Sequence, residues 1–227
     1  MGVMKVKLHR WATTTVLALF LSLFSWATPA QSDDHIEEEI RVKCKNAKFL
    51  PQSAKRVSPP TELLKRAPRW ITLKTNCGDV VIRPSTRNAR ATITAITTLI
   101  DASYYDNTFC HRLSTEDFYA LQCGDPTATG LGDPGFSVRS ENLPLSAERN
   151  YPRGTVAMVN MGRPRTTGSQ FYIFYEDTTF RPANYTIWGQ IVSGIEIIKY
   201  VAEGGVRGGG TDGMPMRPLV IERILVR

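Results

Sequence analysis

Two periods divide the chain from Trp70 onward. Ile71, Leu73, Thr75 and Cys77 fall on one side of a two-residue alternation, Gly78-Asp79 has turn composition, and Val80-Val81-Ile82 follows, which predicts a β-hairpin. Between Ser85 and Tyr104 the period lengthens. Ala89, Ile93, Ile96, Leu99 and Ile100 recur at helical spacing and predict an amphipathic helix. Asp106-Asn107 reads as a turn, and strands are predicted at Thr108–Leu113 and Phe118–Cys123 around a short polar loop. The glycine- and proline-rich stretch from Gly124 to Pro152 reads as long ordered loops. Further strands are predicted at Thr155–Asn160, Gln170–Tyr175 and Thr186–Val192. A second helix is predicted over Gly194–Ala202 from Ile195, Ile198 and Val201, and a last strand over Leu219–Val226. Several antiparallel strands with two helices imply a mainly β fold, a closed barrel with helices capping its ends.

The N-terminal part has neither period. Lys5, Lys7 and Arg10 precede an apolar run from Trp11 to Trp26, and small residues follow at Ala27 and Ala30. That is the layout of a secretory signal. An uncleaved anchor is the competing reading, because the run approaches the length that spans a bilayer. Thr13–Thr15 and Ser22 dilute the run and Pro29 ends it, which favours cleavage; with no Cys near the junction, a lipid anchor is not expected. The chain is therefore expected to be exported, either secreted or anchored at the outer face of the cytoplasmic membrane. Gln31 to Arg69 is polar and charged, with Glu37–Glu39, Pro59-Pro60 and Pro68, and reads as an irregular linker with a short ordered piece near Ile40–Cys44. The expected organisation is a signal or anchor over 1–30, a linker over 31–69 and one domain over 70–227.

Composition changes this picture little. The 227 residues are 42% hydrophobic and 22% charged, ordinary for a soluble globular protein. The net charge of +7 falls to +4 without the first 30 residues, which hold three basic and no acidic groups. The excess is spread out, so no nucleic-acid partner is expected. Cys44, Cys77, Cys110 and Cys123 form an even set, which in an exported chain points to two disulfides with three possible connectivities. Their spacing fits neither a CxxC redox pair nor a close zinc knuckle, and only His111 lies near a Cys, so no metal is expected.

Three segments carry a family resemblance. Phe109-Cys110-His111-Arg112 is followed by Tyr119-Ala120-Leu121-Gln122-Cys123-Gly124-Asp125. Met158-Val159-Asn160-Met161-Gly162 precedes Gly168-Ser169-Gln170-Phe171-Tyr172-Ile173. Asn184-Tyr185-Thr186-Ile187-Trp188-Gly189 comes last. These resemble, in order and near the right separations, the FHR, QGGD, MAN-G, GSQFFI and HxVFG blocks of the cyclophilin-type peptidyl-prolyl isomerases. The CHRL…LQCGDPT form, with two extra residues in the intervening loop, is similar to the actinobacterial secreted or membrane-anchored branch. The resemblance implies an eight-stranded antiparallel closed β-barrel capped by two α-helices, with the active site in a shallow groove on its outer face. It also implies an enzyme that accelerates rotation about X–Pro bonds in exported proteins, with no cofactor, acting on proline-containing segments of client proteins as a monomer.

On this resemblance Arg112 is the catalytic residue. Tyr119, Tyr172 and Phe180 line a proline pocket with Ala120 and Arg181 at its edge. Gln122 and Gln170 need partners that a substrate backbone would supply. Val159 and Asn160 lie beside the proline, and Tyr185 stands where the family often has His. His111 is read as a structural strand residue, since the reaction requires no proton transfer. Cys110 and Cys123, on two strands of one hairpin, are within reach of a bridge, leaving Cys44 to pair with Cys77; buried free thiols are the alternative. The departures are Arg181 for an apolar residue, Ala120 for a larger one, Phe180 for the Trp of some members and Ala128 for a glycine. Together they weaken binding of a cyclosporin-type ligand. Two other readings are a non-catalytic proline-peptide chaperone or scaffold of the same fold, against which Arg112 stands, and a hydrolase using Ser169, which lacks a nucleophile elbow and a His partner.

Overall fold

The computed structural model describes residues 41–47, 50–53, 55–160 and 166–227. The predicted signal or anchor, the start of the linker and Met161-Gly162 lie outside the described residues. Ten strands and two helices follow one another: β1 (Ile71–Thr75), β2 (Gly78–Pro84), α1 (Arg90–Asp101), β3 (Thr108–Phe109), β4 (Arg112–Ser114), β5 (Ala120–Cys123), β6 (Thr155–Met158), β7 (Phe171–Phe174), β8 (Ile187–Ser193), α2 (Ile195–Glu203), β9 (Asp212–Gly213) and β10 (Val220–Val226). The strands form one curled antiparallel sheet in the order β3-β10-β1-β2-β8-β6-β7-β5-β4-β9.

The strand count differs from the eight of the resemblance for a local reason. The predicted strand over Thr108–Leu113 breaks at Cys110-His111: β3 pairs with β10, whereas β4 has crossed to pair with β5 and β9. The ladder is thus open between its edge strands β3 and β9. The chain itself joins the two sides through Cys110-His111, and the Cys110 N–H still donates to Leu219 O at 2.9 Å. The first hairpin also turns earlier than its composition indicated. Its two-residue turn is Asn76-Cys77, Gly78 already pairs with Thr75, and the Thr75 hydroxyl donates to Gly78 O while accepting from the Cys77 N–H.

Inward-facing positions of the sheet and the apolar stripes of both helices fill one core. Ile71, Leu73, Val80 and Ile82 from the hairpin meet Ile93, Ile96 and Leu99 of α1, Ile198 and Val201 of α2, and Trp188 of β8. Trp188 is buried and edge-on to Phe171 at 5.7 Å. Burial of each such side chain contributes roughly 1.5–3 kcal/mol before entropy is counted. Gly194, with φ +90, joins β8 to α2; a Cβ there would collide with the Asp79 carbonyl, so only glycine lets the helix start against β2.

The segment before Trp70 has no strand or helix, as its composition predicts, yet it is docked along its length. The Lys45 N–H bonds to Asn76 O, Gln52 to Pro126 O, Val57 to Pro134 O, and Leu64 to the Thr94 hydroxyl. Val42, Val57 and Leu64 pack against the core, and Cys44 is disulfide-bonded to Cys77. It is a strap rather than a free linker. Cys110 and Cys123 form the second disulfide, and among the described residues no cysteine is free.

The Cys44–Cys77 bridge closes a separation of 33 residues, which by chain entropy stabilises the fold by about 3–4 kcal/mol. Replacing both cysteines by serine is expected to lower Tm by roughly 10 °C in calorimetry under oxidising conditions. Mass measurement after alkylation should find no modified thiol in the unreduced wild type and four after reduction.

Candidate functional site

Strands β5, β6 and β7 are buried on both faces. Because successive side chains alternate, one set must enter the barrel core and the other must be covered from outside. Leu121, Cys123, Val156, Met158, Phe171 and Ile173 point inward. Ala120, Ala157, Tyr172 and Phe174 point outward into a second cluster, against which Phe118, Val159, Phe180 and Tyr185 pack. Ala120 lies opposite Phe174, and Ala157 opposite Tyr172. These small residues leave room for the rings around them. Phe118 stands edge-on to Tyr172 at 4.9 Å and to Phe180 at 5.3 Å, and Phe180 stacks on Tyr185 at 4.8 Å.

Phe118, not Tyr119, supplies the aromatic ring from this stretch of chain. Tyr119 faces the barrel core and meets Tyr175 at 6.1 Å. Family blocks align Tyr119 with the pocket, but alternation counted backwards from Gln122 through Ala120 reaches Phe118. The remaining predicted residues come together. Tyr172, Phe180, Tyr185 and Ala120 share the cluster; Arg112, Gln122, Val159, Asn160, Gln170 and Tyr172 line an adjoining cleft of about 400 Å³. Asn160 donates from Nδ2 to Asn184 O at 2.6 Å, tying the end of β6 to the loop that carries Tyr185. Arg181 is exposed, next to Phe180 in the chain.

Arg112 opens β4 and lies across from Gln122 on β5. Its Nε and Nη2 donate to the two carboxylate oxygens of Asp212 at 2.7 and 2.6 Å. Its Nη1 reaches Gln122 Oε1 at 3.4 Å and the Tyr172 hydroxyl at 3.5 Å. Asp212, 100 residues further along, had no signal in the sequence: it sits after a glycine run, on a strand of only two residues. The bond to Asp212 is the main cause that raises the Arg112 pKa, so the guanidinium is charged at every working pH.

Gln122 and Gln170 find their partners within the protein instead of waiting for a substrate. Gln122 Nε2 donates to Gln170 Oε1 at 2.7 Å, and Gln170 Nε2 donates to the carbonyls of Gly130 and Gly132 at 2.9 and 3.1 Å. The same loop wraps the buried Asp125 carboxylate, which accepts from the N–H groups of Thr127, Thr129, Gly130 and Gly132. Burial pushes the Asp125 pKa up, but bonds from Thr127, Gly132 and Gly130 outweigh it and leave a net lowering. A Cβ on Gly132 would collide with that carboxylate. The relay therefore runs from Asp212 through Arg112, Gln122 and Gln170 to the loop bordering the cleft.

No proton donor or acceptor in the cleft is tuned toward neutrality. Burial raises the phenols of Tyr172 and Tyr185. Burial lowers the pKa of His111, which is buried beside Arg112 and does not line the cleft. Among the described residues no group of three His, Cys, Asp or Glu is placed to hold a metal ion. What the arrangement offers is a fixed cationic donor at the edge of an aromatic surface, with Tyr172 contributing its ring to one and its hydroxyl to the other.

Known proteins match this chain along most of its length. The family model described as cyclophilin type peptidyl-prolyl cis-trans isomerase/CLD matches residues 70–226. The probable peptidyl-prolyl cis-trans isomerase B of Mycobacterium leprae is 34% identical over 197 residues, covering 81% of this chain and 66% of that protein. Its namesake in Mycobacterium tuberculosis is 34% identical over 188 residues, covering 78% of this chain and 58% of that one. The chain thus spans about two thirds or less of these curated relatives. The peptidyl-prolyl cis-trans isomerase-like 1 of Gibberella zeae is 34% identical over 159 residues, 69% of this chain and 93% of that protein. Among solved structures, a Cryptosporidium parvum cyclophilin type peptidyl-prolyl cis-trans isomerase aligns with TM-score 0.60 at 24% identity, covering 70% of this chain and 97% of that one. That level of identity speaks for the fold. With the family model spanning the whole of the sheet, both helices and the cleft, the chain belongs to the cyclophilin-type peptidyl-prolyl cis-trans isomerase family.

Proposed function

We propose that this chain accelerates cis–trans rotation about X–Pro bonds in exported proteins, with Arg112 as the catalytic residue. Rotation is slow because it breaks amide resonance, at about 18–20 kcal/mol. A catalyst need only bind the twisted amide better than either planar form. In the twisted state the prolyl nitrogen regains a lone pair. A fixed guanidinium that donates to it, or holds the carbonyl oxygen, favours that state selectively. The observation carrying this reading is the Nη1 edge of Arg112 beside the Tyr172 hydroxyl, at the border of an apolar aromatic surface suited to a proline ring. A structural neighbour from Cryptosporidium parvum was solved in the presence of the dipeptide Ala-Pro, and such a segment is the ligand proposed here. Arg181 beside Phe180 makes the rim basic and is expected to weaken a cyclosporin-type ligand.

Export rests on the apolar run from Trp11 to Trp26 with its basic start, and on two disulfides, which persist in oxidising compartments. N-terminal sequencing of protein from its native cells is expected to begin near Gln31, whereas a chain beginning at Met1 would mean an anchor.

Arg112→Ala is expected to lower kcat/KM for a short proline peptide by about 100- to 1000-fold while the protein still folds. Arg112→Lys keeps the charge but loses the planar fork and should recover only part of the activity. Wild-type protein that binds the peptide without turning it over would favour the chaperone or scaffold reading. Since no cleft group ionises near neutrality, kcat is expected to be flat from about pH 7 to 9, as a pH–rate profile would check. A slope there would mean that proton transfer enters the reaction.

A further inference from the structure

The feature that the isomerase reading leaves unused is the carboxylate of Asp212. A guanidinium at the end of a long side chain has many rotamers, and its contacts with Gln122 and Tyr172, at 3.4 and 3.5 Å, are too long to choose among them. Asp212 holds Nε and Nη2 in two parallel bonds at 2.7 and 2.6 Å. Such a fork-to-fork pair sets the plane of the guanidinium as well as its position. It also selects which edge stays available: with Nε and Nη2 taken, Nη1 is the edge turned to the cleft.

The backbone around Asp212 is built to hold it there. Strand β9 is two residues long and pairs only with β4, Ser114 opposite Asp212 and Leu113 opposite Gly213. The Thr115 N–H and hydroxyl both donate to Thr211 O, at 2.8 and 3.2 Å, so the residue before Asp212 is fixed as well. Both side chains of the pair are 44% exposed, which makes the pair a weak contributor to stability. A carboxylate this close also reduces the field of the cation. Neither stability nor charge accounts for it; orientation does.

We propose that Asp212 is the positioning residue for Arg112, clamping the guanidinium so that Nη1 faces the twisted prolyl amide. This rests on the isomerase reading given above. Asp212→Asn is expected to lower kcat by about tenfold or more with KM within about twofold, because the donor is misaimed while the aromatic surface still binds. Tm should stay within a few degrees, and Asp212→Glu should restore part of kcat. In the Arg112→Ala background the Asn change should cost nothing further, since the partner it acts through is gone.

A second readout does not depend on turnover. The Arg112 Nε–H resonance in nitrogen-15 spectra should be sharp and protected in the wild type and broadened or shifted in Asp212→Asn. If Asp212→Asn does not fold, the same spectrum and assay on Asp212→Glu decide the matter, the expected result being a shifted resonance with reduced kcat. An unchanged resonance, a kcat close to wild type in the substituted protein, or further loss in the Arg112→Ala background would overturn the proposal. A wild type that shows no turnover would instead sink the isomerase reading, leaving the resonance to decide on Asp212.

Discussion

Burial of β5, β6 and β7 on both faces is the constraint from which the site follows. A sheet that curls around its own core normally covers only its inner face, and an outer face made of Tyr172 and Phe174 would be an exposed apolar patch. Here the outer positions alternate small with large, and rings from the loops around Phe118, Tyr151, Phe180 and Tyr185 close over them. The patch is covered incompletely at the side where Gln122, Gln170 and Arg112 continue the same outward rows. The cleft is the place where the apolar cover stops and the polar row begins. Aromatic surface and cation are therefore adjacent because they share strands, one residue pair apart in the ladder.

The polar row is stabilised differently from the core. Gln122 and Gln170, nearly buried, satisfy each other and then the carbonyls of Gly130 and Gly132, while Asp125 gathers the N–H groups of the same loop from behind. A loop with little apolar anchorage is thus held by hydrogen bonds on two sides. Pro126 and Pro134, at its ends, receive the strap through Gln52 and Val57. The strap is polar in composition, yet three apolar side chains and one disulfide suffice to keep it against the wall that the cleft depends on.

Most of the fold was legible because its strands and helices carry clean periods. Both helices and most strands occur within a few residues of where alternation and helical spacing put them. The misses share a cause: each depends on a partner distant in sequence. The strand through Cys110-His111 breaks because β10 claims one end and β5 the other, and no local pattern records that exchange. The hairpin turn fell at Asn76-Cys77 because the Thr75 hydroxyl and the bridge to Cys44 stabilise it there, against the stronger turn composition of Gly78-Asp79. Block matching assigned Tyr119 to the aromatic surface, although alternation along β5, already visible in the sequence, favours Phe118.

Polar partners were the hardest to read. Two glutamines on neighbouring strands look like groups in want of a ligand when each is considered alone. Side by side, they are donor and acceptor to one another, and only the register of β5 on β7 puts them side by side. Asp212 is the extreme case, a carboxylate in a glycine-rich loop with ordinary composition and no periodicity. Its place opposite Ser114 comes from β9 adding to the edge of β4. An exposed pair of this kind adds little to the free energy of folding, so core packing gives no hint of it either. Its effect lies in the rotamer of one arginine, and that is decided only after every other strand is in position.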